Sequence, residues 1–246
     1  MNTFSRLILL TLFGLTFGCK SITGNLFNNN KPYRVEITTV GLEDTSLFNG
    51  TFNSIGYIKL SSPIKLEATP VPFTKSSYKD FLAAKWSQSS GLDITYVDSL
   101  KHKPKHLIIK VADVLKLIDQ LHEPSNENVK SYLGTNQRAG VVTELSIAFP
   151  KPLTDEILKA GSLFLAQTAD ATYEFQLIQS NGDIKTISYN EGIIMDYALS
   201  RPCWKSSGQN NYKVVELLIS GDKCSSGAYR SPRFIKIKED YFKFQE

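Results

Sequence analysis

Three histidines, three cysteines and a scatter of carboxylates are the side chains of this 246-residue chain that could carry chemistry. His102 and His106 stand four apart, a spacing that would put two metal ligands on one face of a helix. Pro104 lies between them in KHKPKH, which argues for a turn, and no neighbouring carboxylate supplies a third ligand. His122 stands alone after an apolar run, where an imidazole suits the negative end of a helix. Neither a Ser-His-Asp nor a Cys-His mechanism therefore has a positioned base. S-x-x-K occurs at Ser62–Lys65, Ser76–Lys79 and Ser220–Lys223, about as often as 25 serines and 22 lysines produce by chance. Only Ser76 sits at a helix start, where a capping role explains it. No glycine-rich phosphate or dinucleotide fingerprint occurs. Asp183, Glu191 and Asp196 come nearest to a carboxylate cluster, and two acids joined by the fold would suit glycoside hydrolysis. The expectation is a chain with no catalytic residue, no metal and no cofactor.

The one dense basic feature is the turn carrying Lys101, Lys103 and Lys105. It could meet an anionic partner, such as lipid head groups, acidic polysaccharide or an acidic protein. Each lysine would add about 1 kcal/mol at an anionic membrane. It would serve equally as a charged hairpin tip that discourages edge pairing. The net charge of +4 and pI near 8.8 fall short of a nucleic-acid binder, and 41% hydrophobic residues exclude a wholly disordered chain.

Arg6 precedes an apolar run of eleven, Leu7 to Phe17, too short for a membrane-spanning helix, which needs about 20. The run ends in Gly18-Cys19, and LTFGC resembles the lipobox of bacterial lipoproteins. That resemblance covers only the N-terminal segment. It implies that residues 1–18 are a signal peptide, that cleavage precedes Cys19, and that Cys19 carries the lipid, palmitate included. The mature chain would then hold 27 basic and 24 acidic residues. Residues 19–32, polar and Asn-rich, would form a flexible tether. Lys20, in place of an Asp, implies the outer membrane. Cys203 and Cys224 close a 22-residue loop and belong to no C-x-x-C pair. In an exported chain they predict a structural disulfide worth about 3 kcal/mol.

The elements that would position these residues repeat. TPVPFT at 69–74 returns as FPKPLT at 149–154. Each follows an apolar run (Ile64–Ala68, Val141–Ala148) and precedes a helix-like one. In the second helix Ile157, Leu158, Gly161, Phe164, Leu165 and Thr168 share a face, with Thr154 as cap; in the first, Tyr78, Phe81, Leu82, Lys85 and Trp86 do so behind Thr74. Hairpins are predicted for Leu92–Val97 with Leu107–Val111, and for Thr172–Gln179 with Ile184–Tyr189 across Asn181-Gly182. Helices are predicted to start at Asp113 and at Asn190. Further strands are predicted for Arg34–Val40, Tyr212–Ile219 and Arg233–Lys238. The order is that of a β-rich α+β fold made of two tandem ferredoxin-like (split βαβ) units, residues 33–135 and 136–246, parted by the polar stretch 123–140.

Together these readings predict a non-catalytic, lipid-anchored envelope protein. It would bind or help assemble another envelope component, protein or glycan, and not nucleic acid. The alternative is an anchored hydrolase acting on wall or surface carbohydrate through paired carboxylates.

Overall fold

Alternating burial along its apolar segments shapes the largest share of the described residues, 41%, into strands. A computed structural model describes residues 35–44, 51–168, 172–208, 211–219 and 221–235. Ten strands form one curled sheet: β1 (Thr39–Asp44), β2 (Thr51–Tyr57), β3 (Ile64–Pro72), β4 (Lys105–Val111), β5 (Ala139–Ala148), β6 (Ser162–Gln167), β7 (Tyr173–Ile178), β8 (Ile184–Ser188), β9 (Ile193–Ser206) and β10 (Tyr212–Ile219). The order is β10-β9-β5-β4-β3-β6-β7-β8, with β1 paired to β2 and to the start of β5. Every pairing is antiparallel. Among the described residues four α-helices of eight residues or more accompany it: α1 (Lys75–Ser87), α2 (Val114–Leu121), α3 (Glu127–Thr135) and α4 (Lys151–Lys159). The fold is thus a β-rich α+β fold, and none of the described helices is long and apolar enough to cross a membrane.

Two apolar clusters lie on opposite faces of the sheet, as the period of two requires. Ile147 and Ile194 join Leu107, Ile109, Leu117, Leu121, Leu133 and Ile157 on the face covered by α2, α3 and α4. Their neighbours Ala148, Ile193 and Met195 join Phe73, Phe81 and Ala84 under α1. β3 and β5 run parallel to each other on either side of β4, and each passes through a buried aromatic, Phe73 or Phe149, into its helix. Thr74 caps α1 in a reciprocal box with Ser77, leaving Ser76 exposed. Pro70 and Pro72 fit in β3 because β6 pairs only with residues 64–66, so their missing N–H groups face no neighbouring strand.

Several expectations need correction. The strand expected over Leu92–Val97 does not pair. β4 already has β3 and β5 on its two edges, and Leu92, Ile94 and Tyr96 instead pack their alternate side chains against α1. The helix expected to run to Thr168 ends at Lys159; beyond Gly161, Leu163 and Leu165 alternate into β6, and Thr154 lies inside the helix, donating to Phe149 and Pro150 carbonyls. No α-helix starts at Asn190. The Ser188–Glu191 capping box makes one 3-10 turn, and Ile193, Ile194 and Met195, buried in succession, form a strand covered on both faces. Leu82 and Trp86 are exposed, and Phe81 and Ala84 form the buried stripe of α1. The stretch 123–140 holds α3, and residues 232–235 form a helical turn where a strand was expected. The element order of the second half is therefore not that of a split βαβ unit, and β3, β4, β5 and β6 pair continuously across both halves. Other expectations hold: the β7–β8 hairpin turns at Asn181-Gly182, with Gly182 at φ +88°, Asp113 caps α2, and Tyr212–Ile219 is β10.

Candidate functional site

Cys19 and the tether lie outside the described residues. Lys101, Lys103 and Lys105 fall in and beside the turn before β4. Lys103 is committed locally: its ammonium pairs with Asp98 at 2.8 Å and lies 5.7 Å from the centre of the Tyr96 ring, while Tyr96 also donates to Asp98. Those bonds, Lys103 first, hold the Asp98 carboxyl below its usual range. Lys101 and Lys105 are exposed and form no ion pair among the described residues. Lys105 adds, after Lys151 and Lys159, to the field that lowers Asp155.

The histidines divide. His122 ends α2 as expected, its Nε2 3.0 Å from the Val214 carbonyl of β10. His106 enters β4 with its ring against Phe73 and its Nδ1 3.0 Å from Ser146 Oγ on β5. Burial pushes its pKa down, so the ring is neutral at physiological pH. This serine–histidine pair packs beside the α1 cluster and lines neither of the two depressions described below. The three carboxylates are used separately. Asp183 and Asn181 close the β7–β8 turn, Glu191 caps a 3-10 turn, and Asp196 on β9 is raised first by desolvation and then by Asp80.

Two surface depressions stand out among the described residues. The first, about 340 Å³, is lined by Asp155, Glu156 and Lys159 of α4 with Gln179 and Ser180. Asp155 is paired with Lys151 and Glu156 with Lys185, so its adjacent acids are already engaged.

The second, about 300 Å³, sits where the start of β5, the middle of β9 and the segment after β10 meet, and Gln137, Arg138, Arg201, Gly221, Asp222 and Arg230 line it. Its construction explains the role of the cysteines. β10 ends at Ile219, and Gly221, at φ +106°, turns the chain back toward β9. The bond between Cys203 and Cys224 then fixes the returning segment to β9, with the two Cα atoms 5.7 Å apart. Glu216 accepts the Ser225 N–H at 3.1 Å, and Trp204 and Tyr229 exchange backbone bonds of 2.7 and 2.9 Å. The disulfide predicted from sequence is therefore present. Its sulfurs lie beside Glu216 in a group with metal-ligand spacing, but joined sulfurs offer no thiolate.

This clamp orients Arg230. Arg230 donates from Nη1 to the Arg201 carbonyl at 2.7 Å and from Nη2 to the Asp222 carbonyl at 2.6 Å. Arg138 donates to the Glu43 carbonyl at 3.3 Å. Arg201 crosses Gly140, where a Cβ would stand 3.6 Å from its Cγ and 3.1 Å from the Ser200 carbonyl oxygen. Its Nε is buried with no partner among the described residues. Desolvation, then the neighbouring Arg201 charge, lowers the Arg230 pKa, while Asp222 and Glu216 act in the opposite direction. Sequence reasoning missed this grouping because its members lie 29 to 92 positions apart, each unremarkable alone. Compared with protein-family models, curated proteins and solved structures, the chain matches none.

Proposed function

We propose that this protein is a non-catalytic component of the bacterial cell envelope, held to the outer membrane by lipid on Cys19, whose body binds another envelope component. The observation that supports this reading is the Cys203–Cys224 disulfide, because such bonds persist in oxidising, extracytoplasmic compartments. The lipobox-like LTFGC at residues 15–19 and the polar stretch behind it add the anchor and its spacer. The strand–helix pairs β3–α1 and β5–α4, set on opposite faces around β4, fit a duplicated ancestry in which the outer elements have diverged.

Metabolic labelling of the native host with an alkynyl fatty acid, followed by crosslinking capture from solubilised envelopes, tests the proposal. Wild-type protein should carry label and retain a stoichiometric partner, and Cys19→Ala should lose both. An unlabelled wild-type protein would overturn the anchor, and an empty capture of labelled protein would overturn the assembly role.

A further inference from the structure

We propose that the depression formed by Arg138, Arg201 and Arg230 is a binding site for a phosphate-class oxyanion, either free phosphate or a small phosphomonoester. The proposal concerns the folded body alone and does not depend on the anchor.

Composition supplies the first argument. Lysine outnumbers arginine 22 to 6 in this chain, yet every cation lining this depression is arginine. A surface made basic only for solubility would draw on the common cation. Arginine differs in presenting a planar fork of five N–H donors that meets paired oxygens in parallel, where lysine offers a point charge.

The state of those donors supplies the second. Arg230 spends two N–H groups on backbone carbonyls, which fixes its plane, and Arg138 spends one. Arg201 makes no side-chain hydrogen bond or ion pair among the described residues, although its Nε is buried. An orphaned buried donor is costly, and gathering three cations adds repulsion. Asp222 and Glu216 supply the local carboxylates, but neither forms an ion pair with an arginine among the described residues. An anion that accepts the guanidinium donors left free at the surface would offset the repulsion.

Size and charge select the class. At about 300 Å³ the depression is at the small end of ligand sites. A carboxylate has two oxygens and occupies one guanidinium fork. A phosphate monoester is dianionic near neutral pH and has three peripheral oxygens, enough to engage forks arriving from the residue before β5, from β9 and from the clamped loop.

The test is calorimetric titration of the purified full chain with inorganic phosphate and with glycerol 3-phosphate, against sodium chloride of matched ionic strength. Saturable binding at one site per chain is expected for at least one phosphate compound. Arg201→Gln and Arg138→Gln should each weaken it at least tenfold, while Lys79→Ala on α1 keeps wild-type affinity. Near-UV circular dichroism checks each variant's fold, and Arg138, exposed at the rim, provides the variant least coupled to packing. Tighter binding of glycerol 3-phosphate identifies an ester or lipid head group as the source; tighter or equal binding of inorganic phosphate identifies the free anion. Phosphates that act no differently from chloride would overturn the proposal. So would saturable binding that survives Arg138→Gln and Arg201→Gln combined.

Discussion

The side-chain amide of Gln88 donates from Nε2 to the Ile194 carbonyl at 2.7 Å and accepts the Ile194 N–H on Oε1 at 3.1 Å. It thereby stands in, for one residue, for the strand that β9 lacks there, since β10 pairs only with residues 200–206. Gln88→Ala should lower stability by about 1–3 kcal/mol, the cost of leaving partly buried donors and acceptors unpaired. Urea unfolding would show this as a lower midpoint at unchanged slope.

A similar device holds the crossing from β2 to β3. The Asn126 side chain, fully buried, accepts the Lys59 N–H at 2.8 Å and donates to the carbonyls of Lys59 and Gln120 at 2.9 and 2.8 Å. Asn126→Ala removes three bonds at once and should cost about 3 kcal/mol. Hydrogen exchange should then quicken at Lys59 more than in β5.

Gly192 has no space for a larger residue. A Cβ there would approach the Phe149 ring to 2.7 Å and Ile147 Cδ1 to 2.9 Å, both in the core. Gly192→Ala should destabilise by about 1–3 kcal/mol through overpacking, whereas Gly56→Ala, where the Cβ meets nothing, should not. Parallel thermal melts would separate the two.

Reduction should act first on the arginine depression. Cys203→Ala with Cys224→Ala should cost about 3 kcal/mol through the longer reach of the unfolded chain. Amide exchange at residues 221–230 should rise before that of β5, because the segment's other ties to β9 and β10 are a few hydrogen bonds.

His106 sets the direction of a pH effect. Burial lowers its pKa in the folded state, so below the unfolded value near 6.5 the unfolded chain binds more protons. Stability should be full above that value and fall as pH drops through the lowered folded pKa. His106→Gln should flatten this part of the stability–pH curve in denaturant titrations at fixed ionic strength.

What could be read in the sequence was local. Asn181-Gly182 specified its hairpin because the turn needs positive φ, and Asp113 announced α2 because a carboxylate can accept the Lys116 N–H at the helix start. The helix expected from Asn190 stops at one Ser188–Glu191 turn, and the chain leaves it for β9, since burial on both faces favours the Ile193–Met195 run as a strand. Leu92–Val97 alternates as a strand should and still finds no partner. Its fate depended on β5 holding the other edge of β4, which no nearby residue encodes. The arginine site was hidden for the same reason, its single local trace being the use of a rare cation.

Strand order also dictates when the molecule can become whole. Val40 pairs with Val141 and Ile64 with Leu165, partners about a hundred residues apart along the chain, and the second edge of β5 is filled only when β9 arrives. Closure of such long loops is expected to slow the last pairings relative to the local hairpins. In N-to-C order the sheet cannot be whole before β9 and β10 are made, so the second edge of β5 is bare while residues 149–192 are added.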